Sequence, residues 1–363
     1  MSEVQTKEIN KKTVNTTQVK AFGAQASDAD LKEMQIERRE PTSDDVHIKI
    51  TYCGVCHSDI HQVRNDWKNS VYPVVPGHEI VGEVTEVGQN VKNFKKGDLV
   101  GVGCMVDSCQ TCDSCKNDLE QYCENGATLT YNSENKHLQD RHTYGGYSQS
   151  IVVNKEFVLK VPGNLDTKAV APLLCAGITT FSPLNHWKIK KGDKVGVIGL
   201  GGLGHMGIKF AHAMGAHTVM ITTSPEKAKD AKRLGADEVL ISKDEEAMEE
   251  QAGSFDFLLN TVPVGHDLNP YVSLLKIDGT MVLVGALEPV EINGLGLIFG
   301  RKRIAGSAIG GIKETQEMLD FCGKHDIVSD IEMIDMKNIN DAYKRVVDGD
   351  VKYRFVIDMA SLS

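Results

Sequence analysis

The chain has 363 residues, too many for one ordinary domain, so two are expected. Hydrophobic residues make up 41% and charged residues 25%, the balance of a globular protein, and this excludes wholesale disorder. Forty basic against fifty acidic side chains leave a net charge of −10, which argues against a nucleic-acid partner or an anionic membrane surface.

Met1–Gln18 is polar and lacks the apolar stretch of a secretory signal, so it is expected as a loose tail. No run of eighteen apolar residues occurs, and no transmembrane helix is expected. Nine cysteines, an odd number, do not read as a secreted disulfide framework. A cytoplasmic protein is expected, in which clustered cysteines mean metal. From Val46 to Gly103 the short runs VHIKITYCG, IVGEVTEVG and DLVGVG are β-branched and closed by glycine, the pattern of strands. Cys104–Gly145 is irregular and polar, a lobe unable to build its own core. YSQSIVV and FVLKV read as a strand pair, and Ala169–His186 as a helix.

At Lys191 the pattern changes. KVGVIGL is a continuous apolar run suited to a buried parallel strand. HTVMITT, EVLIS, FDFLLNTV, TMVLVGAL and RIAGSA repeat it, separated by helical segments, giving six strands of a doubly wound sheet and an α/β fold. Beyond Lys313, the helices ETQEMLDFCGKH and NINDAYKRVVDG and the strand KYRFVID are expected to return to the first domain.

Between the first of these strands and its helix lies Gly199-Leu200-Gly201-Gly202-Leu203-Gly204, a GxGxxG turn in its required context. Gly199 permits the tight turn, Gly201 lets backbone reach a pyrophosphate, and Gly204 permits close helix–strand packing. About twenty residues on, an NAD-binding chain would carry Asp or Glu for the ribose hydroxyl. Here stand Thr222, Thr223 and Ser224, with Lys227 close by, a set that suits a 2′-phosphate and so NADP. Glu226 is less favourable. The same residues also read as a polar loop with Ser224 capping a helix opened by Pro225.

Cys109, Cys112, Cys115 and Cys123 have the spacing of a closed, structural zinc site, with four thiolates supplied by one loop. A second set is dispersed: Cys56, His78 with Glu79, and Cys175. Singly, Cys175 reads as a core residue and His78 as a turn histidine. Together they supply two thiolates and an imidazole and leave a position open, as catalytic zinc requires.

CGVCHSDIHQ, VVPGHEIVGEV, DLEQYC, APLLCAGIT, GHMG, NTVPV and YRFVID occur in the order found in zinc-dependent medium-chain alcohol dehydrogenases. The chain resembles the cinnamyl-alcohol-dehydrogenase branch of that family. The resemblance implies a GroES-like β catalytic domain from residues 1–166 and 313–363, with its zinc lobe at 104–125, and a Rossmann domain at 167–312. It implies that Cys56 rather than Cys53 ligates catalytic zinc with His78 and Cys175, and that Glu79 is an occasional fourth ligand. Asp59 would orient His78. Two zinc ions per chain and NADP(H) are expected. Thr179, Thr261, Gly285, Ser307, Ala308 and Ile309 join the candidate cofactor contacts.

The implied reaction is hydride transfer from nicotinamide to an aldehyde polarised by zinc. Ser58 would pass the proton through the cofactor ribose to His61, supported by Asp66. Otherwise Ser58 reads as a helix-capping hydroxyl and His61 as a surface histidine. Plant members that take cinnamyl aldehydes carry aromatic rings at positions aligned with Thr128 and Ala308, so a broader aldehyde range is expected here. Trp67 and Cys104 are further pocket candidates. The resemblance also implies a homodimer through RIAGSA and GLGLIFG. A polyol or sugar dehydrogenase of the same superfamily is one alternative, and a non-catalytic zinc-stabilised NADP sensor another.

Overall fold

The structure, a computed structural model, describes residues 15–138, 141–285 and 289–362. Order begins earlier than the loose-tail expectation. Thr16–Gly23 (β1) pairs antiparallel with Lys32–Arg39 (β2), Thr16 opposite Arg39. Backbone pairing orders Thr16, Thr17 and Gln18 although their side chains are exposed. Residues 1–14 of the expected tail lie outside the described residues.

The first large sheet is built on Asp45–Gly54 (β3), followed by Ile80–Val87 (β4) and Leu99–Val102 (β5). Met105–Asp107 (β6) and Thr128–Leu129 (β7) pair with each other at the root of the cysteine-rich lobe. Ser150–Asn154 (β8) and Leu159–Lys160 (β9) are not the expected pair. The buried Phe157 anchors a tight turn between them, sending β8 to β3 and β9 to β5.

The expected helix Ala169–His186 is three pieces: Thr167–Val170, a 3-10 turn Ala171–Leu174 containing Pro172, and Ala176–His186. Cys175 stands at the break with φ −131° and ψ −69°, outside helical geometry.

The second sheet contains all six expected strands: Lys194–Ile198 (β10), His217–Thr222 (β11), Glu238–Ile241 (β12), Phe255–Asn260 (β13), Leu275–Leu283 (β14) and Arg303–Gly306 (β15). They are parallel in the order β12-β11-β10-β13-β14-β15. The last two residues of the TMVLVGAL run, Ala286 and Leu287, lie outside the described residues. Helices cover both faces, which explains the continuous apolar runs. The strand order reverses between β10 and β13, and the crevice beyond their carboxyl ends is where such sheets bind nucleotides.

After the helix Ile312–His325, Ile331–Asp335 (β16) and Arg354–Asp358 (β17) join the first sheet, giving β16-β17-β3-β4-β5-β9 with β8 also on β3. β17 runs antiparallel to β3 with Val356 opposite Gly54. Among the described residues no helix is long and apolar enough to cross a membrane, and all nine cysteines are free thiols.

Candidate active site

Cys56 follows the end of β3 and forms the N-cap of helix His57–Arg64, with extended backbone (φ −109°, ψ 151°). Three residues on, the buried Asp59 carboxylate accepts the Cys56 backbone N–H at 2.9 Å, closing a capping box. Cys56 and Asp59, not Ser58, therefore fill the capping role. The other oxygen of Asp59 accepts from Gly77 N and from His78 Nδ1, each at 3.0 Å. With Nδ1–H donated to Asp59, His78 Nε2 is the nitrogen left to hold a metal. Tyr131, which the sequence did not single out, places its hydroxyl 3.1 Å from the same Nδ1.

Ligand atoms of Cys56, His78, Glu79 and Cys175 all lie within 4.8 Å of one another, and all four residues are buried. Cys56 Sγ and Cys175 Sγ are 3.9 Å apart. Two thiolates on one tetrahedral zinc, each about 2.3 Å from the metal, stand about 3.8 Å apart, so the pair fits. The Cys175 thiol, as donor, holds Cys56 well below the ordinary thiol value. The neighbouring Cys104 and Cys56 thiols push Cys175 up.

Glu79 is fully buried in a niche that exists because Gly54 has no side chain; a Cβ there would overlap the carboxylate. Its Oε1 accepts from the buried Arg354 on β17, and its Oε2 has no hydrogen-bond partner. Burial pushes the Glu79 carboxyl up, and the Arg354 cation opposes that rise. An unpartnered buried carboxylate oxygen beside two thiols and an imidazole nitrogen suits a metal.

Ser58 is half-buried in the first turn of helix His57–Arg64. His61, one turn on, binds Asp66 Oδ2 through Nδ1 at 2.8 Å and stacks on His57 with ring centroids 4.7 Å apart. The exposed Trp67 lies 5.5 Å from the His61 ring. Cys104 lies beside the cluster, its Sγ 3.9 Å from the carbonyl of Leu174, the residue before Cys175. Thr128 does not: β7 turns it into a separate cavity with Arg39, Asp107 and Thr130. Tyr131, rather than Thr128, is the residue of this stretch that reaches His78.

Gly199 turns with φ +93°. A Cβ on Gly204 would overlap the Gly199 carbonyl, whereas one on Gly201 would meet nothing within 4 Å, leaving that backbone open to a ligand. Thr261 is turned inward, donating to Ile198 O at 2.8 Å, so it braces the glycine turn rather than facing outward. Thr223 is exposed, and Lys227 Nζ reaches back to Leu200 O at 3.3 Å, bringing a cation to the glycine loop. Thr222 Oγ1 is taken by Ser224 N at 3.2 Å, and Ser224 occupies the cap position before Pro225 without capping through its hydroxyl. No carboxylate stands at 222–224. Thr179 is buried in the helix that begins after Cys175. Gly285 abuts Val262 O, and Ser307 N donates to Leu283 O at 3.1 Å. Ala308 is exposed and Ile309 half-buried.

In the lobe, Cys109 Sγ–Cys115 Sγ is 3.9 Å and Cys112 Sγ–Cys123 Sγ is 4.0 Å, again the separations of thiolates around one zinc. Cys112 N–H points at Cys109 Sγ at 3.3 Å, as a thiolate prefers.

A Rossmann sheet with an open glycine turn, joined to a β-domain bearing a Cys-His-Cys cluster and a four-thiolate lobe, defines a two-domain, metal-dependent nucleotide oxidoreductase. The chain matches the alcohol dehydrogenase GroES-like domain over residues 42–163 and the zinc-binding dehydrogenase family over 202–324. It belongs to the zinc-binding alcohol dehydrogenases. Aldehyde reductase YahK of Escherichia coli is 57% identical, covering 95% of this chain and 99% of that protein. A probable mannitol dehydrogenase of Medicago sativa is 53% identical over 94% and 96% of the two chains. The crystal structure of the cinnamyl alcohol dehydrogenase from Helicobacter pylori complexed with NADP(H) superposes with a TM-score of 0.89 at 42% identity, covering 95% and 99%.

Proposed function

We propose that the protein is an NADP(H)-preferring alcohol dehydrogenase that reversibly reduces aldehydes to primary alcohols. The observation that carries this reading is the convergence of Cys56, His78, Cys175 and the unpartnered Glu79 oxygen on one buried point. The aldehyde reductase and NADP(H)-bound relatives support it. Zinc held there by Cys56, His78 and Cys175, with Glu79 as the alternative ligand, supplies Lewis acidity toward the carbonyl oxygen, and NADPH supplies the hydride.

The chain does the rest. Asp59 fixes the His78 tautomer. The Ser58 hydroxyl gives its proton to the developing alkoxide, and His61, held by Asp66, returns a proton from solvent. Thr223, Ser224 and Lys227 receive the 2′-phosphate, which a carboxylate would repel. The four lobe cysteines hold a second, structural zinc. The reducing cytoplasm suits these thiolate ligands.

The same reading extends to a homodimer through the free edge of β15 and the adjoining helix Gly294–Ile298, where Leu295, Ile298 and Phe299 are 61%, 70% and 85% exposed. A second reading, polyol oxidation, is favoured by the mannitol dehydrogenase relative. A steady-state panel of aliphatic and aromatic aldehydes and mannitol, run with NADPH/NADP and NADH/NAD, decides. Aldehyde reduction with NADPH is expected to dominate; faster mannitol oxidation would replace the first reading with the second.

A further inference from the structure

We infer that the four-cysteine lobe sets the position of the loop Ser307–Gly311 at the domain seam, with Tyr122 and Glu120 as its positioning residues. The inference rests on the reading of that loop as cofactor-facing. Residues 120–122 form a 3-10 turn between the third and fourth cysteines. Backbone bonds tie the segment 118–122 to those cysteines, Asp118 N to Cys115 O at 3.2 Å and Cys123 N to Glu120 O at 3.0 Å. From it, two side chains reach nearly two hundred residues along the sequence. Tyr122 Oη accepts the Ala308 N–H at 3.1 Å, and Glu120 Oε2 accepts the Ile312 N–H at 3.0 Å.

Ile312 opens a fourteen-residue helix whose N-cap, Gly311, has no side chain to offer. Glu120 therefore supplies both the missing acceptor and a negative charge at the positive end of the helix. Gly311 is also a point of close approach between the two segments, since a Cβ there would overlap the Asp118 carbonyl. Lys313 Nζ binds Asp118 Oδ2 at 2.9 Å, but this pair is exposed and holds little.

The held loop is strained. Ile309 has φ +42°, a left-handed conformation that a β-branched side chain adopts only when its surroundings over-determine it. Its side chain packs against the cores of both halves of the molecule. With Cys104 and Leu174 it lines a small cavity. The fastenings on either side of Ile309, at Ala308 and Ile312, both come from the lobe. Release of either lets Ile309 relax and moves the loop relative to the cluster and the nucleotide crevice.

Three readouts on the zinc-loaded protein test this: amide hydrogen exchange over residues 305–312, the NADPH dissociation constant by fluorescence titration, and the melting temperature. Tyr122→Phe is expected to speed exchange at Ala308 and weaken NADPH binding about three- to tenfold, the scale of one hydrogen bond, while the melting temperature barely moves. Glu120→Gln, which keeps an acceptor oxygen, should recover most of what Glu120→Ala loses. Gly311→Ala pushes the lobe away without altering any lobe residue, and should reproduce the loosened loop with full zinc content. Unchanged exchange and affinity in Tyr122→Phe and Gly311→Ala would overturn the inference. Ile309→Gly separates the two levels of the argument. If it leaves NADPH affinity unchanged, the cofactor-facing reading fails; if it alters affinity while the lobe variants do not, only the positioning role fails.

Discussion

Cys56 serves two purposes with one residue, since its backbone N–H is caught by Asp59 while its sulfur faces the cluster. Cys56→Ala is expected to abolish turnover yet leave NADPH binding nearly intact, read by steady-state rates beside a fluorescence titration; retained activity would remove Cys56 from the ligand set. At the other end of the crevice, Thr223→Asp should weaken NADPH relative to NADH by about 1–3 kcal/mol, the scale of a charge-assisted phosphate contact. An unchanged cofactor ratio would place selectivity elsewhere. At this scale the spacing of the four lobe cysteines and of Gly199, Gly201 and Gly204 carried its meaning in the sequence, because each set acts within one short segment. Arg354 and Tyr131 carried none, because their partners are distant: Arg354 meets Glu79 across 275 positions and Tyr131 meets His78 across 53.

Among elements, the parallel strands were legible because burial on both faces makes them uniformly apolar. KEMQIERR and IEMID, which became β2 and β16, were not, because charged side chains alternate along half-buried edges. The break at Cys175 was hidden by an apolar stretch with helical spacing, and only Pro172 hinted at it. The lobe has little apolar core of its own, so Cys112→Ser should lower both zinc content and melting temperature. Full zinc content at an unchanged melting temperature would contradict a structural site.

Helix Gly204–Ala213 holds a different kind of constraint. His205 is completely buried, with Nε2 3.0 Å from Ser329 Oγ and its ring stacked 5.0 Å from that of Tyr353. Burial pushes its pKa down to about 3; Lys209 and Arg354 act in the same direction and Asp330 against them. In the unfolded chain the ring takes a proton near pH 6.5 (about the free value) and in the fold it does not. Its contribution is therefore full above about pH 6.5 and is lost at up to about 1.4 kcal/mol per unit as pH falls toward 3. Between pH 7 and pH 5 the urea-unfolding free energy should fall by about 2 kcal/mol more in the parent than in His205→Gln. Equal falls would remove His205 as the cause.

At the scale of the molecule, β15 leaves one edge of the nucleotide sheet unpaired among the described residues, beside the exposed Phe299. Phe299→Glu should convert the proposed homodimer to a monomer in light scattering; a dimer that survives it uses another face.

Arg354 also bears on the order in which the protein is made. Its side chain fills the space beside Gly202 and pairs with Glu79, so one guanidinium touches both the glycine turn and the cysteine–histidine cluster. Glu79 leaves the ribosome 275 residues before it, an interval of roughly 14–55 s at ordinary elongation rates. Throughout that time the first sheet lacks β17 and the carboxylate lacks its counter-charge. The last strand of the nucleotide sheet ends at Gly306, so that sheet can pair before Arg354 is made, and the Glu79 niche cannot be complete until β17 has emerged.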